Sequence, residues 1–160
     1  MVFKNPLLAV RDMERSKQFY REVLGLRVTA DLGANVVLTG GVSLQTLDSW
    51  MGFIGKKEEE IRLGSNNGEL YFEEEEFDGF LKRLEGFEIS YVHPLLEHSW
   101  GQRAVRFYDP DGHVIEVGEP IAMVCRRFLD SGLTMEETAV RMDVPMKFVK
   151  NACRAKKDKD

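Results

Sequence analysis

The stretch RFYDPDGHVIEVGEP, residues 106–120, sets Asp109, Asp111, His113 and Glu116 within a few positions of one another. Glu116 stands between Ile115 and Val117. Side chains alternate across a strand, so Val114 and Glu116 share one face while His113, Ile115 and Val117 share the other. Either the face of Glu116 is wet, or it lines a pocket in which a carboxylate is wanted, to ligate a hard cation or to take a proton. Asp109 and Asp111 invite a calcium-loop reading, but DPDG has neither the length nor the later acidic ligands of such a loop. Asp109-Pro110-Asp111-Gly112 reads instead as a turn, with proline second and glycine fourth. His113 is expected to serve the turn or the packing. Cys125 and Cys153, 28 positions apart, form no metal or redox motif and read as buried free thiols.

These residues need elements to hold them. Asn5–Val10 reads as a short buried strand. Asp12 is placed to cap a helix over MERSKQFYREVLG, with Met13, Phe19, Tyr20, Val23 and Leu24 as its apolar stripe and Gly25 at its end. LRVTADLG, ANVVLTGG and VSLQTL follow as strands broken at Gly40 and Gly41. The pattern then restarts. ELYFE, residues 69–73, is strand-like, and FDGFLKRLEG makes an amphipathic helix with Phe77, Phe80, Leu81 and Leu84 inward. FEISYVHP, QRAVRFYD and GHVIEVGE read as three more strands. The two starts, Asn5 and Glu69, lie 64 positions apart, and this internal repeat is the strongest organisational signal. Between the halves, residues 50–68 read as a linker with a solvated KKEEE core; Trp50 and Phe53 pack on the core or cover a groove. After Pro120 come three short helical patterns, with a capping box at Thr134 and Glu137 and Pro145 at the start of the last.

With 160 residues, 43% hydrophobic and 31% charged, the composition is that of an ordinary soluble chain. No apolar run approaches the roughly 20 residues that span a bilayer. The opening MVFKNPLLAV is too short and too soon interrupted for a signal peptide, so the cytoplasm is the expected location. The net charge of -5 is uneven: residues 1–120 hold 13 Lys/Arg and 21 Asp/Glu, residues 121–160 hold 9 and 6. The larger part is a poor nucleic-acid binder. GLTMEETAVRMDVPMKFVKNA resembles the helix-turn-helix segment of bacterial regulators, with Lys147, Lys150, Asn151 and Arg154 on its second helix. The signal is short, and nucleic acid is not the expected partner; a helical appendage that covers a sheet edge or supports a dimer is.

VRDMERSKQFYREVLGL and VRFYDPDGHVIEV together resemble the vicinal oxygen chelate superfamily, the group of glyoxalase I, bleomycin-resistance proteins and extradiol dioxygenases. The resemblance covers about residues 5–118. It implies an α+β fold of paired βαβββ modules, an open curved mixed sheet around a cleft. The modules would span about 4–48 and 68–118, joined by a linker over 49–67. A glyoxalase-like domain would thus occupy 1–119, with a helical extension over 120–160. Members of the family commonly dimerise, so a homodimer is expected. In metal-dependent members, the first and last strands of each module supply four ligands. By motif these positions are Asn5, Gln45, Glu69 and Glu116. This all-oxygen set lacks the histidine usual in the family, since His93 and His98 fall before or in the loop PLLEHSWGQ and His113 faces the helices. It would favour Mn²⁺ or Mg²⁺, with Ni²⁺ and Zn²⁺ as further candidates, or hold no metal at all. In this family that loop often overhangs the cleft. Trp100 would then stack on a flat or apolar substrate, and His98 or Arg103 would meet an anionic group.

Two functions follow from the resemblance. One is a metal-dependent lyase or isomerase acting on a small molecule with vicinal oxygens, with Glu116 and Glu69 as ligands and one of them as base. The other is a metal-free binding module of the bleomycin-resistance type, or a ligand sensor coupled to the helical tail. Extradiol oxygenation is the least supported, because its iron wants two histidines and a carboxylate.

Overall fold

The computed structural model describes residues 1–157, and side chains as far as Cys153. The elements, in chain order, are β1 (Leu7–Val10), α1 (Met13–Leu24), β2 (Val28–Asp31), β3 (Asn35–Leu38), β4 (Ser43–Thr46) and α2 (Leu47–Ile54). A 3₁₀ turn (Glu58–Glu60) leads to β5 (Glu69–Glu73), α3 (Phe77–Leu84), β6 (Tyr91–Glu97), β7 (Arg103–Tyr108) and β8 (Val114–Gly118). The helices α4 (Ile121–Asp130), α5 (Met135–Met142) and α6 (Met146–Lys157) complete the described residues. The repeat is real. Each half makes a four-stranded mixed sheet with the same order, β1-β4-β3-β2 and β5-β8-β7-β6. No helix among the described residues is long and apolar enough to cross a membrane.

Packing divides the chain into two compact units. The first comprises residues 1–70, 83–90 and 108–115; the second comprises 71–82, 91–107 and 116–160. In the first, Asp12 caps α1 by accepting from the Arg15 amide at 3.0 Å, and Gly25 closes it in the left-handed conformation at φ 69°. Val10, Tyr20, Val23, Val36, Leu38 and Leu44 form its core. β1 runs parallel to β4, with Leu7 opposite Ser43 and Ala9 opposite Gln45. The expected strand VSLQTL stops early: Leu47 opens α2 rather than ending β4. The turn after β7 is organised by buried Asp109. Its carboxylate accepts from the amides of Asp111 and His113 at 2.9 and 2.8 Å, from the Tyr20 hydroxyl at 2.8 Å, and lies 2.9 Å from His113 Nδ1. Burial pushes this carboxyl up. The hydrogen bonds and charge of His113, with the Tyr20 hydroxyl, outweigh it and hold Asp109 below the usual carboxylate range. The turn reading of DPDG and the turn role of His113 are what the structure shows.

In the second unit, Phe80 of α3 packs against Phe107 of β7 at 6.5 Å between ring centroids. Arg103, Val105 and Phe107 therefore face α3, and by alternation Ala104, Arg106 and Tyr108 face away from it. The strand expected over FEISYVHP lies further along. β6 runs from Tyr91 to Glu97, so His93 is inside a strand, and the loop that follows is only a tight turn. The turn closes through His98 N to Gln102 O and Gly101 N to His98 O, both at 2.8 Å. β6 is an edge strand, which tolerates Pro94. The three C-terminal helices share a core of Val124, Cys125, Met142, Val149 and Ala152. The capping box forms as read: Thr134 Oγ accepts from Glu137 N at 3.1 Å while Glu137 accepts from Thr134 N at 2.8 Å. Of the two thiols, Cys125 is buried and Cys153 only half-buried. Lys147, Lys150 and Asn151 are exposed on α6; the side chain of Arg154 lies outside the described residues.

Candidate functional site

The face of the second sheet that turns away from α3 carries a connected set of polar side chains. Glu116, on β8, is 4% exposed. It is ion-paired with Arg106 on the neighbouring strand β7. Arg106 is also directly opposite His93 on β6. Its Nη1 lies 3.2 Å from His93 Nε2 and 3.4 Å from His98 Nε2. The His98 ring stacks on Trp100 at 4.3 Å and an interplanar angle of 8°. Trp100 Nε1 donates to Gln102 Oε1 at 3.1 Å, and Gln102 Nε2 donates to the Tyr71 hydroxyl at 2.9 Å. Burial pushes the Tyr71 phenol up to about 12, with the charges of Glu73 and Glu116 acting the same way and the Gln102 hydrogen bond opposing them. A chain of contacts thus runs from Glu116 through Arg106, His98 and Trp100 to Gln102 and Tyr71.

Glu116 is therefore no solvated carboxylate, and its inward face is explained. Its charge is balanced by a guanidinium. The other expected ligand positions are used differently. Gln45 is buried at 2% exposure, accepts from Asn35 Nδ2 at 2.8 Å and donates to Ser49. Asn5 donates to Ser43 Oγ. Asn5 precedes β1, which opens at Leu7, so the strand expected from Asn5 starts later, and its amide is engaged by Ser43, two positions from Gln45. Glu69 is exposed at the start of β5, where it lines an open pocket of about 510 Å³ with Pro6, Trp50 and His113. Trp50 does face a groove, whereas Phe53 is exposed.

A divalent ion needs several oxygen or nitrogen ligands converging with their lone pairs open. Here Glu116 faces a cation already, Gln45 is held by two side chains, and Asn5 is bonded to Ser43. Among the described residues no group of three or more His, Cys, Asp or Glu is placed to hold a metal ion. The residues at the four positions do not fit one.

Of the expected substrate-binding residues, His98 and Trp100 belong to the site. Arg103 is turned to the other face. It donates to Glu119 Oε1 from Nε at 3.0 Å and from Nη2 at 2.8 Å, reaches Asp78 at 2.8 Å, and lies over the Phe77 ring at 5.3 Å. Burial raises the Glu119 carboxyl, but Arg103 above all, then Arg127, brings it below its usual range. Arg103 is a clamp between β7, α3 and the chain entering α4. Sequence reading missed Arg106, His93, Tyr71 and Gln102. Alternation along β7 puts Arg106 on the face of Ala104 and Tyr108, but its partners lie on neighbouring strands and are not local information.

The family profile described as glyoxalase-like domain matches residues 3–122, so α5 and α6 lie beyond it. No curated protein matches the chain. Among solved structures, a protein of unknown function from Agrobacterium tumefaciens str. C58 is 40% identical, over 75% of this chain and 94% of that one, with a TM-score of 0.68. A lactoylglutathione lyase from Agrobacterium tumefaciens is 26% identical over 75% and 94%, TM-score 0.56. A glyoxalase/bleomycin resistance protein/dioxygenase from Nocardioides shares the fold at 20% identity over 74% and 83%, TM-score 0.60. Two repeated βαβββ sheets, the DPDGH turn running into a strand that carries Glu116, and a match over three quarters of the sequence make this chain a member of the glyoxalase-like domain family, within the vicinal oxygen chelate superfamily.

Proposed function

We propose that the protein binds a small organic molecule on this face of its second sheet without a metal ion, in the manner of the binding branch of its family rather than of a metal-dependent lyase. The observation that carries this reading is Arg106 on Glu116. The guanidinium supplies the positive charge that an ion would bring, and it is permanently charged. A divalent cation entering beside it meets both repulsion and the cost of freeing a buried carboxylate from its partner. The same pairing removes the attraction of Glu116 for a cationic ligand. What remains is a preformed polar array, with histidines on one side and an aromatic platform on the other, which suits recognition of an organic molecule.

The test is metal content after chelation and reconstitution with Mn²⁺, Mg²⁺, Ni²⁺ or Zn²⁺, in the wild type and in Glu116→Gln. The expected result is no stoichiometric ion in either. One tightly held ion per chain in the wild type, lost in Glu116→Gln, overturns the reading and restores the metal-dependent lyase.

A further inference from the structure

The second unit contains an open pocket of about 850 Å³ whose walls come from both the sheet and the appended helices. Tyr71, Trp100 and Gln102 form one side; Arg141, Met142 and Val144, at the end of α5 and the turn after it, form the other. We propose that this pocket is the ligand site, and that it takes a flat aromatic monoanion such as an aromatic carboxylate. The proposal rests on the reading of a metal-free binding face given above and names the ligand class for it.

Four features set the chemistry. His98 covers one side of the Trp100 indole, and the ring, still 36% exposed, lines the pocket. An aromatic ligand would extend that stack. Among the described residues Arg141 is the one cation of the lining. It donates to the Ser99 carbonyl, lies 3.8 Å from Glu97 and sits over the Phe128 ring at 5.2 Å. These contacts hold the guanidinium in place, and a fork of five N–H donors has capacity beyond them for a carboxylate. Asp143, the left-handed C-cap of α5 at φ 53°, stands on the same wall. Its carboxylate repels a second negative charge, hence a monoanion. Met142 and Val144 give the apolar wall against which the ring system rests.

The turn bearing Trp100 is itself held by the helices. Arg127 donates to the Gly101 carbonyl at 2.6 Å, and a side chain added at Gly101 would run into Phe128 at 2.2 Å. The appended helices thus build the site in two ways: they wall the pocket, and they fix the tryptophan that floors it.

The experiment uses the full chain with Trp50→Phe, so that Trp100 is the sole indole. The probes are 2-naphthoate, the neutral naphthalene-2-methanol and the cationic 2-naphthylmethylammonium, followed by quenching of Trp100 and by calorimetry. Saturable quenching by 2-naphthoate, at about tenfold or better affinity over the other two, is expected from one charge-assisted contact. Arg141→Met should abolish that preference while leaving the neutral probe unchanged, and Val144→Phe should block all three. Thermal unfolding of both variants checks that the helices stay docked; if Arg141→Met undocks them, Val144→Phe and the probe preference of the wild type decide. Equal binding of the three probes, or 2-naphthoate binding indifferent to Val144→Phe, overturns the pocket assignment. Both results leave the metal-free reading standing, which the ion measurement with Glu116→Gln tests separately.

Discussion

Replacing Arg106 by Met keeps the length and the apolar stem but strands Glu116. The carboxylate side chain is 6% exposed and the guanidinium 22%, so the pair is largely shielded from water. Removing one partner of a buried pair costs about 3–5 kcal/mol, mostly from the charge left behind. The partial exposure of Arg106 moves the expectation to the lower end, about 3 kcal/mol. For a chain of this length that is a fall in Tm of roughly 6–12 °C. The cost belongs to the orphaned charge, so a second substitution should recover most of it. Arg106→Met with Glu116→Gln should return to within about 1 kcal/mol of the wild type, since an amide carries no charge to strand. Urea unfolding of the four proteins of the cycle measures this directly. Additive losses, or a loss below about 1 kcal/mol in Arg106→Met alone, would mean that water already solvates Glu116, and the argument that Arg106 stands where a metal's charge would be needed would collapse with it.

Three other outcomes are expected. Arg103→Met should destabilise the protein by about 2–4 kcal/mol, because buried Glu119 loses its main partner, yet leave ligand affinity unchanged, since Arg103 faces α3; a selective loss of affinity in titrations would return it to the binding site. Gly101→Ala should cost several kcal/mol, about 1–2 of it from a left-handed φ of 86° and the rest from the clash with Phe128, and Phe128→Leu should relieve the second part in a double-mutant unfolding cycle. Asp109 is held below its ordinary range when folded, so its contribution is complete above about pH 4, the unfolded carboxylate value, and is lost as pH falls through the depressed folded value. Asp109→Asn should lower stability at neutral pH and flatten that acid limb, and an unchanged acid limb in pH-dependent unfolding would refute the assignment.

Much of this architecture is legible in the sequence. Asp12, Gly25 and the stripe through Tyr20 and Val23 mark α1 because caps and periodicity are local physics. The repeat is legible because both modules obey the same alternation. β6 was misplaced because an edge strand with exposed Tyr91, Val92, Leu95 and Leu96 has no inward face to alternate with, and Pro94 reads as a stop. The site divides in the same way. Glu116 stood out because a carboxylate among Ile115 and Val117 is locally anomalous. Arg106 did not, because its meaning lies in which strand is its neighbour, and the β5-β8-β7-β6 order is a tertiary fact. Arg103 was misread for the opposite reason: its position beside the loop suggested a ligand contact, whereas facing, fixed by Phe107 against Phe80, sends it to the helix side.

The irregular edge formed by β6 has a consequence for the protein in a crowded solution. Pro94 offers no amide hydrogen, and the pairing with β7 shifts between Tyr91 and His93 and again between His93 and Leu96. An incoming strand would find a broken row of donors and acceptors instead of a straight template. Four partly exposed apolar side chains on such an edge would otherwise mark a nucleation point for cross-β assembly. Replacing Pro94 with a β-branched residue would straighten the row, and the penalty would show as fibril growth under conditions where the native chain stays dispersed.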